Sequence, residues 1–234
     1  MKRKIPCFIL ARKNSKGLIN KNIYKFDKIP LIVHTINYAK KIKFITNIVI
    51  STDDIRIKNI AKKYNCDVIF PRPKKLSNDT ASSLSALKHA IKEFENIYGR
   101  IDILSYLQAT EPLRPKNILN KCFKYVIKNN YNSAFAGFVY HKNFWIKTNK
   151  YNYKLITPQS ETKKSRQYKK NIYRGDFGVS LVTKRDIVLK NNSLIKKPFK
   201  IVPYNEYSGL LDIHTKKDIV FGEMLKTFIK KQKN

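Results

Sequence analysis

The run Ile5-Pro6-Cys7-Phe8-Ile9-Leu10-Ala11 leads directly into Arg12-Lys13-Asn14-Ser15-Lys16-Gly17-Leu18-Ile19-Asn20-Lys21-Asn22, and the junction between the two decides the fold. An apolar run of strand length with no polar alternation is the pattern of a strand covered on both faces, as in a parallel sheet flanked by helices. Beyond the polar loop, Leu31, Ile32, Thr35, Ile36 and Ala39 recur at helical spacing, which predicts a helix over 30–41. A β-branched strand follows at 47–51, a helix at 54–64 and a strand at 66–70, so the order is β-α-β-α-β. The alternation continues with a helix over 82–94, a strand over 103–107, a helix opened by Pro115 and running to Lys128, and a strand over 133–140. Strands alternating with helices predict one domain, 1–234, of α/β class with a mostly parallel, three-layer sheet. Between about 141 and 173 the alternation fails in a Lys-, Asn-, Tyr- and Gln-rich stretch that reads as an insertion. Strands at 178–183 and 200–203 and a last helix at 216–230 complete the pattern.

The chain has 234 residues, 42% hydrophobic and 12% aromatic, which is sufficient for one large core and excludes intrinsic disorder. Its 49 Lys and Arg against 16 Asp and Glu give a formal charge of +33. Such a charge attracts polyanions. Here the cations are mostly Lys, spread evenly from Lys2 to Lys233 among many Asn and Ile, so nucleic acid is not the expected partner. No apolar run approaches the roughly 18 residues of a membrane span. The basic start Met1-Lys2-Arg3-Lys4 precedes a first strand rather than a cleavable leader. Cys7, Cys66 and Cys122 are odd in number and widely spaced, so neither a disulfide framework nor a zinc cluster is expected, and a cytoplasmic location is.

Ligands of open parallel sheets bind outside the carboxyl ends of the strands, which places the informative residues after Ile9, Ile50, Phe70 and Leu107. The loop from Leu10 to Asn22 holds four cations in thirteen residues. Arg supplies a planar fork, Lys a mobile point charge, and backbone N–H groups complete an anion site able to hold a triphosphate. The spacing fits neither a P-loop nor a dinucleotide fingerprint. Taken alone, the loop reads equally well as a solvated basic turn.

This loop resembles the A-R-x-G-S-K-G-x-x-x-K-N signature of the cytidylyltransferases that activate nine-carbon sugar acids, the CMP-sialic acid synthetase family with its legionaminate and pseudaminate relatives. Further blocks resemble that family in the same order: Ser51-Thr52-Asp53-Asp54, Arg72-Pro73, Ser77-Asn78-Asp79-Thr80-Ala81-Ser82-Ser83, Leu107-Gln108-Ala109-Thr110-Glu111-Pro112-Leu113-Arg114 and Leu211-Asp212-Ile213-His214-Thr215. The resemblance covers nearly the whole chain. It implies a three-layer α/β/α, Rossmann-like nucleotidyltransferase that joins CTP to a nonulosonic acid and releases pyrophosphate. Arg12, Lys21 and Asp212 would be catalytic. Leu10, Ala11, Arg12, Ser15, Lys16, Lys21, Asn22, Arg72 and Ser82 would hold CTP, Ser82 also reading as a helix cap. Gln108 and Phe177 would meet the sugar acid. Arg114 reads either as an anion contact or as a brace for its own loop, and Asp53 and Asp54 read first as caps for the next helix.

Several positions depart from the family pattern. Asn14 replaces a glycine, a change that the left-handed conformation tolerated by Asn would accommodate. Glu111 replaces a small hydroxyl residue and adds a carboxylate near the sugar. The D-x-D pair that holds magnesium stands here as Asp212-Ile213-His214, so the expected divalent cation is magnesium or manganese, with Asp212 the firm ligand and His214 a second candidate. Ser165-Arg166-Gln167 resembles a segment that crosses to a neighbouring subunit, so Lys142 and Arg166 would complete the partner's site in a homodimer and the insertion would be its dimerisation element. His34, His89 and His141 read as packing or surface residues. Two alternatives stay open: a related nucleotidyltransferase acting on a sugar or polyol phosphate, and a basic binding module that keeps the fold without turnover.

Overall fold

The computed structural model describes residues 3–232. The central sheet is built from β1 (Pro6–Leu10), β4 (Asn47–Ser51), β5 (Asp67–Ile69), β6 (Ile103–Gln108), β7 (Ser133–Tyr140), β10 (Ile172–Lys184) and β11 (Phe199–Tyr204). Their order is β11-β7-β10-β6-β1-β4-β5, and every neighbouring pair is parallel except those made by β10, which runs against both β6 and β7. The apolar run that opens the chain is explained by this position. Cys7 and Ile9 point into a core shared with α1 (Leu31–Lys40), α2 (Ile55–Lys63) and α4 (Ile118–Lys128). Phe8 points the other way, into a core shared with α3 (Ser83–Tyr98) and α6 (Arg185–Leu189). With both faces covered, no polar residue is admitted between Pro6 and Ile9, and the three layers follow.

The helices begin where the sequence offers acceptors for orphan N–H groups. Asp54 caps α2 by accepting from the Arg56 N–H at 2.8 Å, and Ser82 caps α3 through the Ser85 N–H at 3.0 Å. The last helix, α7 (Lys216–Lys231), opens with a capping box in which Thr215 and Asp218 bond each other's backbone. All three cysteines are free and buried. No helix among the described residues is long and apolar enough to cross a membrane.

The structure departs from the sequence reading in four places. A small hairpin of β2 (Lys25–Phe26) and β3 (Ile29–Pro30) precedes α1, where only a loop was expected. α3 runs on to Tyr98, while α4 begins at Ile118, later than the Pro115 start. The strand expected at 178–183 is the inner end of β10, whose outer half pairs Ile172 with Tyr140. That half carries Tyr173, Arg174, Gly175 and Asp176 and is largely exposed, so it lacks the apolar signature of a central strand. The insertion is therefore an excursion between two paired antiparallel strands. It carries the hairpin of β8 (Trp145–Lys147) and β9 (Tyr153–Leu155) and the one-turn helix α5 (Gln159–Thr162).

Candidate active site

A cleft of about 440 Å³ opens at the carboxyl ends of β1 and β6. Leu10, Arg12, Ser15, Lys16, Lys21 and Asn22 line it from the first loop, Arg72 and Ser82 from the region before α3, Gln108 and Thr110 from the end of β6, and His214 from the approach to α7. Four segments far apart in sequence thus meet at one place. Ala11 does not reach the cleft: its side chain is buried and its N–H continues the sheet by donating to the Ser51 carbonyl at 3.0 Å.

The loop is held in shape by its own polar groups. The Asn22 amide donates to the Arg12 carbonyl at 2.9 Å, and the Lys13 N–H donates to Asp53 Oδ1 at 2.8 Å. Asp53 also lies 3.8 Å from the buried Arg72 guanidinium, so it bridges loop and cleft wall, while Asp54 is the helix cap. Leu18 anchors the loop in a third apolar cluster with Leu211, Ile213 and Ile219, which fixes it against the lead-in to α7. Gly17 faces the His214 carbonyl so closely that a Cβ there would lie 2.5 Å from the oxygen. The left-handed conformation in this loop falls at Asn20, with φ 56°, and not at Asn14. Asn14, standing where the family has glycine, is thus accommodated without a positive φ.

Charge in the cleft is arranged around Asp79, which the sequence reading quoted without a role. Arg12 Nη1 lies 2.7 Å from Asp79 Oδ1 and Lys16 Nζ lies 3.3 Å from Asp79 Oδ2. The Arg12 guanidinium holds the Asp79 carboxyl below its ordinary range. Lys21 is half-buried, and burial lowers its ammonium pKa, with Asp212 opposing and Arg12 reinforcing the shift. Lys21 Nζ sits 3.5 Å from His214 Nδ1, and His214 Nε2 sits 2.8 Å from Asp212 Oδ2. The three residues form a chain from loop to α7. Asp212 Oδ1 is shielded from solvent and has no hydrogen-bond partner. No three His, Cys, Asp or Glu side chains among the described residues converge into a metal cage.

Arg114 resolves as a brace. Its guanidinium is buried and donates to the carbonyls of Gln108, Gly178 at 3.1 Å and Val179 at 3.0 Å, and to Thr35 Oγ1 at 3.0 Å. Phe177 packs edge-on against Phe135, ring centroids 4.8 Å apart, and does not line the cleft, because its alternation on β10 turns it toward the α3 side of the sheet. Lys142 and Arg166 come together elsewhere, in a second cleft of about 900 Å³ walled by Tyr140, Tyr204 and Tyr207. His34 bonds the Phe26 carbonyl at 2.8 Å and is a packing residue as read, whereas His141 lines that second cleft. Tyr106 and Asn78 are cleft residues that sequence reasoning missed. Tyr106 lies in an apolar strand, where an aromatic reads as core, and Asn78 lies in a polar loop with no local signal for a ligand contact.

Comparison with known proteins agrees with this fold. The chain is 31% identical over 233 residues to post-translational flagellin modification protein B of Campylobacter coli, an alignment covering 98% of this chain and 96% of that one. It is 38% identical over 131 residues to the pseudaminic acid cytidylyltransferase of Campylobacter jejuni, covering 56% of each chain. Among solved structures, a CMP:2-keto-3-deoxy-manno-octonic acid synthetase complexed with CTP superposes with a TM-score of 0.69 at 14% identity, covering 97% of this chain and 99% of that one, which establishes the shared fold. Residues 7–202 match the profile of the cytidylyltransferases across β1 to β11, and the chain belongs to that family.

Proposed function

We propose that this protein joins CTP to a nonulosonic, sialic-acid-like sugar acid, forming a CMP-sugar and pyrophosphate. The observation that carries the reading is the convergence of Arg12, Lys16, Lys21, Arg72, Gln108 and His214, with Asp212 bonded to the histidine, on one cleft at the carboxyl ends of the strands. Relatives aligned over nearly the whole chain or over about half of it are named for flagellin modification or as a pseudaminic acid cytidylyltransferase, which supports the same substrate class.

The chemistry asked of the protein is positioning and charge neutralisation. Arg12, Lys16 and Lys21 receive the triphosphate, exchanging Asp79 for phosphate oxygens, and they face the departing pyrophosphate, where negative charge grows. Ser82 and Ser83 open α3, whose free N–H groups favour an anion or a nucleotide edge. Gln108 offers the sugar both a donor and an acceptor. Asp212 is the residue that fits a divalent cation: its Oδ1 is shielded and unpartnered, and a single carboxylate suits magnesium or manganese that takes its remaining ligands from substrate and water. Such an ion, when bound, neutralises phosphate charge. His214 bonds Asp212 Oδ2 through Nε2 and faces Lys21 through Nδ1, so its imidazole would join an ion, favouring manganese over magnesium, by releasing one of those partners.

A homodimer accompanies this reading. The insertion leaves Trp145, Ile146, Tyr151, Tyr153 and Ile156 exposed, an apolar surface that supports a role in association, and Lys142 and Arg166 stand at the open cleft beside it. Sedimentation at micromolar concentration is expected to give a dimer, and a monomer would remove the partner-site role of Lys142 and Arg166. The activity itself is tested by incubating the protein with CTP, magnesium or manganese and a panel of nonulosonic acids. Pyrophosphate release is expected with at least one acid. No release in any combination, beside tight salt-sensitive RNA binding, would overturn the reading in favour of a basic binding module.

A further inference from the structure

Resting on that reading, we propose that Asp79 is a built-in competitor for the substrate's phosphates, which sets how tightly the cleft holds CTP and how readily it gives up pyrophosphate. Asp79 lines the cleft from the segment that leads into α3. Its Oδ1 lies 2.7 Å from Arg12 Nη1 and its Oδ2 lies 3.3 Å from Lys16 Nζ, so one carboxylate spans both cations. Neither Arg12 nor Lys16 has a second acidic partner within 4.0 Å among the described residues. Lys21 is arranged differently, facing His214 and drawn toward Asp212. A phosphate chain and the Asp79 carboxylate therefore seek the same two cations, and their like charges oppose sharing them.

The contact is built to be exchanged. The segment carrying Asp79 keeps its shape through bonds in which the carboxylate has no part. Arg72 Nε donates to Ser77 Oγ at 3.0 Å, and the Thr80 hydroxyl and Ala81 N–H donate to Asn78 Oδ1 at 3.0 and 2.8 Å. The Ser85 N–H donates to Ser82 Oγ at 3.0 Å, which fixes the start of α3. Across the cleft, Asn22, Asp53 and Leu18 shape the loop independently of Asp79. Asp79 is thus presented at a fixed place and releases its partners without unfolding either segment. Its side chain is 42% exposed and that of Lys16 80%, so water screens the contact and each pair is weak. The Arg12 guanidinium keeps the carboxyl below its ordinary range, so it is ionised at neutral pH and competes as an anion. Once the bond to the α-phosphorus has broken, pyrophosphate holds the same cations, and the return of Asp79 offsets the charge that the product takes away. Product departure limits many enzymes, and a resident anion of moderate strength opposes an overly tight hold on it.

The test is Asp79→Asn, which keeps the shape of the side chain and removes its charge. Calorimetry measures binding of CTP and of inorganic pyrophosphate, each with and without magnesium. A displacement assay measures cytidine, which brings no phosphate to Arg12 or Lys16. Two screened ion pairs, each worth a factor of roughly 1.4 to 5, together predict that Kd for CTP and for pyrophosphate falls by more than about twofold and up to about 30-fold. Cytidine binding is expected to stay within about twofold. In the turnover assay, added pyrophosphate is expected to inhibit the variant at correspondingly lower concentration. A side chain that only braced the loop would move affinity the other way, because a loosened loop holds phosphate less well. The proposal is overturned by a variant whose Kd for CTP and pyrophosphate stays within about twofold or rises, or whose cytidine binding tightens equally. A loss of affinity confined to the magnesium series would make Asp79 an ion ligand and overturns it too. Asp79→Ser carries the same comparison if the asparagine variant does not fold. A parent protein that binds neither CTP nor pyrophosphate overturns the functional reading instead.

Discussion

Replacing Gly17 with alanine tests whether the first loop and the approach to α7 must touch for the cleft to work. The added Cβ would lie 2.5 Å from the His214 carbonyl oxygen, about 0.9 Å inside ordinary contact at 3.4 Å, so one side has to move by nearly that amount. The α7 side is pinned. His214 and Thr215 donate their N–H groups to Asp218 at 2.9 and 2.7 Å, and Ile213 donates to Thr110. The loop side is exposed at Gly17 and is tethered mainly through side chains, Asn22, Asp53 and Leu18 at its ends, Arg56 on Asn20, and Arg12 and Lys16 on the exposed Asp79, so it yields first. Arg12, Lys16 and Lys21 then withdraw from Asp212 by close to 1 Å, a displacement that costs about 10²-fold in rate when it falls on positioned groups. Forcing a methyl into a packed contact costs about 1–3 kcal/mol, and yielding of the loop places this change at the low end, a drop of roughly 3 °C in Tm. Pyrophosphate-release kinetics and a thermal melt read both effects. A variant with kcat/KM within about threefold of the parent and an unchanged Tm would show that the loop admits the methyl without moving its cations, and would refute the coupling of the two segments.

Arg12→Ala is expected to lower kcat by roughly 10²- to 10³-fold with little change in Tm, because its partner Asp79 is exposed and the pair adds little to the fold; normal kinetics would remove Arg12 from the reaction. His214→Asp restores a second oxygen ligand beside Asp212 and is expected to raise the ratio of magnesium- to manganese-supported rates several-fold; an unchanged ratio would place the side chain outside the ion's shell. The buried Glu111 carboxyl, with a pKa near 8 in the folded protein against 4.5 as the ordinary value, binds its proton more tightly folded than unfolded, so its contribution to stability is present below pH 4.5 and is lost as pH rises to 8. Glu111→Gln is therefore expected to raise Tm at pH 8 and not at pH 4.5, and a variant destabilised at both would show the carboxylate to be paired. Asp54→Ala removes the cap of α2 and is expected to cost about 1 kcal/mol with activity retained, measured by urea denaturation.

The fold was legible wherever burial on both faces left a signature in the residues themselves. β1, β4, β6 and β7 were read at close to their observed limits because a strand between two helical layers is apolar over most of its length, with the small Ser105 the exception inside β6. β10 was not, since its outer half is solvated on the insertion side and its polarity follows from what does not cover it. Its reversed direction is likewise absent from any local pattern: an antiparallel strand set between parallel ones is a matter of where the chain returns from, and the excursion after Tyr140 fixes that return. The cleft was legible to the extent that its residues follow strands, as Arg12, Arg72 and Gln108 do. Phe177 was misplaced by the same gap, because the face on which it falls is set by the register of β10 and the register shifts between Asp176 and Leu181.

What no single segment announces is that the cleft's cations and carboxylates are held apart by deliberate expenditure of other groups. Arg114 carries the same guanidinium as Arg12, yet its donors are taken by the carbonyls of Gln108, Gly178 and Val179, which fixes the loop. Arg12 and Lys16 share one exposed aspartate that an incoming polyanion can replace. The distinction between a bracing arginine and a binding one is therefore one of acceptor type: carbonyls that folding has already buried bind their donor permanently, whereas a solvated carboxylate gives it up to phosphate. On this argument a charge of +33 says little about where an anion binds, because what selects the site is the small set of cations whose partners remain exchangeable.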